Sequence, residues 1–227
     1  LDRTVPIAGA GLILLYLIGI YDFGAFHMLD YTLYLGAGFY LIVIHSKNIR
    51  VQGLGIPALY LTLGFSLCWV AMEKIFYPQW SIYILQETPQ LALGLDPDFF
   101  ILAAAFVEFS LGYLLIIGLL ERPLALAITG VFFTTTLFFG KVEVIGHTLI
   151  HAALIVFLLE GPGDIYPAPI RIHQRLGWRV AFAVVNFLLF LAVLTPFYSV
   201  GAEIRQDAAI DQVAMTAEEM TRFPISR

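Results

Sequence analysis

DFFILAAAFVEFSLGYLLIIGLL, residues 98–120, holds one carboxylate, Glu108, after its opening Asp98 and is otherwise almost wholly apolar. About 20 apolar residues in helical form cross the hydrocarbon core of a bilayer. A spanning segment must also satisfy its own backbone N–H and C=O groups, so this stretch reads as a transmembrane helix. Working outward, apolar runs at about 5–21, 31–45, 53–72, 123–140, 143–159 and 177–199 repeat the pattern. The expected fold is an all-α integral membrane protein of about seven transmembrane helices. Hydrophobic residues at 60% and charged residues at 13% agree, because an ordinary soluble domain is far less apolar. The second and sixth runs are short and can cross if flanking residues snorkel or the bilayer thins around them.

Lys and Arg bias sets the expected orientation. With the N-terminus cytoplasmic, the inner segments carry Arg3, Lys47, Arg50, Arg122, Arg171, Arg175 and Arg179, while the outer connections carry only Lys74 and Lys141. Asp22, Asp30, Glu87, Asp96 and Asp98 then lie outside, and the polar tail 201–227 is an outer-face segment available to a redox partner. The expected location is a bacterial-type inner membrane, in contact with lipid. Leu1 in place of an initiator Met is read as a processed or truncated start, and the first apolar run lacks the basic n-region and cleavage site of a signal peptide. A single cysteine, Cys68, excludes an internal disulfide and a cysteine-built metal site. A net charge of -5 without a basic run gives no reason to propose nucleic acid as a partner.

Between the third and fourth helices, Trp80, Ile82, Tyr83 and Leu85 among polar residues predict a short interfacial helix within 75–96. Pro123 suits the first turn of a helix, so the fourth and fifth helices form a tight antiparallel hairpin. Gly9, Gly11, Gly36, Gly38, Gly112 and Gly118 are read as allowing close helix packing.

The chemistry gathers in KVEVIGHTLIHAALIVFLLEGPG, residues 141–163. Glu143, His147 and His151 are four apart, which on one continuous helix stacks a carboxylate and two imidazoles on a single face. Ionisable residues inside a membrane are costly and mark sites or pathways. Counting about 1.5 Å per residue from the expected outer ends puts His147 about 9 Å deep and His151 and Glu108 about 15 Å deep, with Glu73 near the level of Glu143 and His147. Imidazole and carboxylate from facing helices make a transition-metal site with His147, His151, Glu143, Glu108 and Glu73 as ligands, for iron, copper or zinc. The rival readings are a proton relay from Glu108 through His151 and His147 to Glu143, and plain hydrogen bonding between helices. Haem fits less well, because His147 and His151 on one face cannot both be axial to one iron. His27 lies outside and can serve as a second ligand, whereas His45 and His173 read as interfacial or surface residues. Cys68 and Met72 could offer sulfur to copper but are better read as core. Lys74 beside Glu73 could bind an anionic head group or stabilise a semiquinone, although a lysine at a helix end usually snorkels.

Glu73-Lys74 at the end of the third helix, Glu108-x-x-x-Gly112, Gly118-Leu-Leu-Glu-Arg122-Pro-Leu-Ala125 and the closing Gly161-Pro162-Gly163 come in an order that resembles the DoxX-like family of small four-helix membrane proteins. The resemblance covers about residues 53–163. It implies a four-helix membrane module, some relatives of which are subunits of quinone-linked oxidoreductases, including thiosulfate:quinone oxidoreductase. Residues 1–52 then add two N-terminal helices, 164–200 an inner loop and final helix, and 201–227 the tail. The ladder Glu143, His147, His151 is not part of the family pattern. The expected function is a metal-binding, redox-linked polar site in the outer half of the bilayer, reached laterally by quinone, with Glu108, Glu73 and Lys74 as catalytic candidates. The alternatives are a non-catalytic anchor subunit for a soluble oxidoreductase and a proton-coupled carrier.

Overall fold

The computed structural model describes residues 4–119, 121–161 and 169–222, with side chains described for all of these except Glu121, Glu143 and residues 206–222. Among the described residues every regular element is helical: α1 (Thr4–Phe23), α2 (Ala25–Met28), α3 (Leu33–Val43), α4 (Ile49–Gln52), α5 (Gly55–Phe76), α6 (Pro78–Glu87), α7 (Pro97–Ile117), α8 (Glu121–Phe139), α9 (Lys141–Gly146), α10 (Thr148–Glu160) and α11 (Leu176–Arg222), with short 3-10 turns between some of them. Five helical segments, Thr4–Phe23, Ile49–Phe76, Pro97–Ile117, Arg122–Phe139 and Leu176–Arg205, are long and apolar enough to cross a membrane, and Leu33–Val43 and Thr148–Glu160 are shorter apolar helices. The chain is an all-α membrane protein. Helix α6 is the short helix expected between the third and fourth spans; it buries Leu85 and leaves Trp80 and Tyr83 exposed.

Helix α5 is the hub, packing on α7 most extensively and on α3, while α1 covers α3 and α8 pairs with α10. The α5–α7 contact is backbone to backbone. A Cβ added at Gly64 or at Gly112 would lie 2.5 Å from the other residue's carbonyl oxygen, so the two helices meet only because neither residue has a side chain. Gly9 and Gly38 bring α1 and α3 together in the same way. Of the glycines expected to pack helices, Gly11 has nothing within 4 Å of its would-be Cβ, and Gly118 instead ends α7 with φ 69°. That left-handed residue, followed by α8 from Glu121, makes the expected tight hairpin.

Two helices depart from expectation. The sixth is not continuous: α9 ends at Gly146 and α10 starts at Thr148, with His147 between them at φ −103° and ψ 12°. Glycine has a low helix propensity, and Gly146 stands where the ladder breaks. The Thr148 hydroxyl lies 2.8 Å from the Val144 carbonyl and 3.0 Å from that of Ile145, so the break is sealed from within. The last helix does not stop near residue 199 but continues to Arg222, because 201–222 is rich in Ala, Glu, Gln and Met and free of Pro. Residues up to Phe187 form one compact unit and Leu188–Arg227 a second.

Contacts within the first unit fix which connections share an end. Gly55 faces Tyr40 and Val43, Arg122 Nη2 donates to the Leu159 carbonyl at 3.4 Å, and the Tyr113 hydroxyl donates to the Ala183 carbonyl at 2.8 Å. The α3–α5 linker with Lys47 and Arg50, the α7–α8 turn with Arg122, and the start of α11 with Arg175 and Arg179 therefore lie at one end, the basic end. The opposite end carries His27, Asp30, Glu73 and Lys74.

Candidate functional site

The polar residues of this opposite end are placed by α5, α7 and the turn joining α1 to α3. Lys74 lies in the last turn of α5 and Glu108 in the middle of α7, yet Nζ and Oε2 are 2.6 Å apart. The Gly64–Gly112 contact and the Cys68 Sγ to Phe109 carbonyl hydrogen bond at 3.4 Å set an antiparallel register in which Glu108 lies roughly one and a half turns deeper than Lys74. Side chains lean toward the N-terminus of their own helix. In antiparallel partners this tips Lys74 down the bundle and Glu108 up it, so the two heads meet between them. Each side chain keeps about a quarter of its surface accessible, at 25% and 23%, so the pair is shielded but not sealed. Lys74 thus does not snorkel outward; its ammonium is held inward by a charge-assisted hydrogen bond.

Around α5 from Lys74, Glu73 faces the α1–α3 turn. Burial, and then the neighbouring Asp30, Tyr34 and Glu73, push the Tyr31 phenol above its ordinary value of 10. His27 Nδ1 lies 3.9 Å from Asp30 Oδ2, and its ring is 5.7 Å from that of Tyr31. The turn is pinned to α5 by Thr32, whose hydroxyl is 3.0 Å from both the Thr62 carbonyl and the Ser66 hydroxyl, and by Phe26 against Trp69 at 5.1 Å. Tyr31 was not among the sequence candidates. Its only sequence signal is position, one residue before the buried Thr32 at the start of a short apolar run.

His147 and His151 remain together but face elsewhere. Their rings pack against Phe132 of α8, with centroids at 4.7 and 6.0 Å, and the His151 backbone amide donates to the His147 backbone carbonyl at 3.0 Å. Glu108, expected to lie level with His151, pairs through Oε2 with Lys74. Helix α10, which carries His151, packs chiefly on α8. Among the described residues no three His, Cys, Asp or Glu side chains come together as a metal site. Of the five expected ligands, the Glu143 side chain lies outside the described residues. Cys68 and Met72 are both fully buried at 0% exposure, and Cys68 Sγ bonds the Phe109 carbonyl, as core residues do. His173 is half-buried against Phe182 at 5.2 Å rather than plain surface.

The helices that build this pair are also those that carry the match to known proteins. Residues 58–141 match the model of the DoxX family. That segment is DoxX-like. The matched segment holds Glu73, Lys74 and Glu108 and reaches Lys141, so the DoxX match includes the ion pair and leaves His147 and His151 outside it. No curated protein and no solved structure matches the chain.

Proposed function

We propose that this DoxX-like protein is the membrane component of a quinone-linked oxidoreductase, with its N-terminus cytoplasmic, and that Lys74 and Glu108 are the groups that meet the quinone head. The observation carrying the reading is the 2.6 Å ion pair between two spanning helices, one quarter accessible and inside the matched segment. Converting a quinone to a quinol adds two electrons and two protons at its carbonyl oxygens. A lysine ammonium can hydrogen-bond such an oxygen and give it one proton, and the adjacent carboxylate can relay protons taken up from water, first to restore the lysine and then to supply the second proton of the quinol. Ile75, Leu102, Phe106 and Val107, all exposed on the same two helices, offer an apolar surface for a lipid-soluble substrate. The electrons come from a redox partner on the face where Lys74 lies. Glu73 and Tyr31 extend the polar patch toward that face.

A transition-metal site on His147, His151, Glu143, Glu108 and Glu73 is the second reading; the neighbouring His147 and His151 imidazoles beside Phe132 support it, while Glu108 is paired with Lys74.

Quinone extracted from the purified protein tests the proposal. Wild type is expected to retain quinone and to be labelled on α5 or α7 by a photoreactive quinone, with at least a tenfold loss in Lys74→Met and Glu108→Gln. Equal retention in these variants and wild type overturns the assignment. Metal analysis in parallel settles the histidines: iron, copper or zinc well below one per chain, or unchanged in a His147→Ala, His151→Ala double variant, removes the metal.

The anchor reading has its own support in α11, which stays helical to Arg222 although its apolar part ends at Arg205. A redox partner that copurifies equally with and without residues 201–227 would rule out a docking role for this extension.

A further inference from the structure

The basic end carries a second feature that the ion pair does not use. Residues 169–180 bring Arg171, Arg175 and Arg179 together with Ile172, Leu176 and Trp178 in one short segment, and all six are exposed. The apolar members are strongly so, at 70%, 76% and 63%. No acidic residue occurs between Asp164 and Glu203, in a chain whose net charge is -5. The segment is built rather than loose: Ile170 is buried, the His173 ring packs on Phe182, and Arg179 Nε donates to the His173 carbonyl at 2.6 Å. That bond holds the Arg179 guanidinium at Nε, and the residue remains exposed. Lys47, Arg50 and Arg122, also exposed, stand at the same end.

We infer that this segment binds anionic phospholipid headgroups, Arg171, Arg175 and Arg179 meeting the phosphates while Ile172, Leu176 and Trp178 enter the acyl boundary. The chemistry of the two faces selects this occupant. A soluble acidic protein would match the arginines but would leave three large apolar side chains at the start of a spanning helix to be covered, whereas a lipid supplies both an anion and a hydrocarbon at that depth. Tryptophan is favoured at the same interface.

The test uses the full-length protein in neutral detergent, titrated with phosphatidylglycerol, with phosphatidylcholine and with inorganic phosphate, and followed by native mass spectrometry and thermal unfolding. Phosphatidylglycerol is expected to bind more tightly than phosphatidylcholine, with about a fivefold loss for each arginine replaced in an Arg171→Gln, Arg175→Gln, Arg179→Gln series. The preference should collapse at high salt in wild type, a readout that stands even if the triple variant fails to fold. A triple Arg→Lys variant keeps most of the preference. Equal binding of the two lipids, or an undiminished preference in a folded triple Gln variant, overturns the inference. Stabilisation by inorganic phosphate alone equal to that by the lipid would also overturn it, since the apolar residues would then contribute nothing.

Discussion

Replacing Lys74 with Met leaves the Glu108 carboxylate between two apolar helices without its cation. Removing one partner of a fully buried pair costs about 3–5 kcal/mol, and an exposed pair is worth about 0.2–1 kcal/mol. With 25% and 23% of the two side chains accessible, the pair lies nearer the buried limit, and a loss of about 2–3 kcal/mol is expected. Glu108→Gln strands the ammonium instead and should cost a similar amount. The double variant Lys74→Met, Glu108→Gln leaves no charge unpaired, so it should be less destabilised than the sum of the singles, with a coupling of about 1.5–3 kcal/mol. The protein supplies its own probe. Cys68, the chain's single cysteine, is wholly buried between α5 and α7, so a maleimide dye reports its exposure as the bundle opens in graded SDS. If the single losses simply add to within about 0.5 kcal/mol, the two charges are not coupled and Lys74 and Glu108 do not act as a pair.

The same probe reads the helix crossing: Gly112→Val puts a Cβ 2.5 Å from the Gly64 carbonyl oxygen and 2.9 Å from Cys68 Sγ, so about 1–3 kcal/mol of stability is lost and labelling accelerates, whereas Gly11→Val changes little. Thr32→Val removes the hydroxyl held by Thr62 and Ser66 and should cost about 1 kcal/mol, with Ser66→Ala adding little on top of it. Since the Tyr31 phenol is raised by burial first and by Asp30, Tyr34 and Glu73 second, its stabilising effect is full below pH 10 and fades as pH rises through the raised value. A Tyr31→Phe difference titration at 295 nm should find it above 10, moving only part of the way down in Glu73→Gln; a value at or below 10 in wild type refutes the placement.

Much of this architecture could be read from the chain because bilayer thickness leaves few choices for long apolar runs, and α5, α7 and α8 fall where hydropathy puts them. Helix α6 was readable for a different reason, its aromatic residues among polar ones. What hydropathy cannot carry is azimuth. The partner of Glu108 is decided by the Gly64–Gly112 contact and by the opposite lean of side chains in antiparallel helices, and that of His151 by the packing of α10 on α8. The interruption at His147 had a local signal in Gly146, outweighed by the regular spacing of Glu143, His147 and His151 that invited a single helix. Tyr31 escaped notice because its interest comes from α5, which lies far away in sequence.

The short helices α3 and α10 touch each other. At about 1.5 Å per residue their 11 and 13 residues make rods of about 16 and 20 Å, against a hydrocarbon core near 30 Å. Where rods this short stand side by side, the bilayer meets them by thinning into a dimple or by drawing flanking residues toward it. Water and headgroups drawn into that dimple would bring the aqueous boundary down toward His147, so that a proton reaching it has less oil to cross than its place in the sequence suggests.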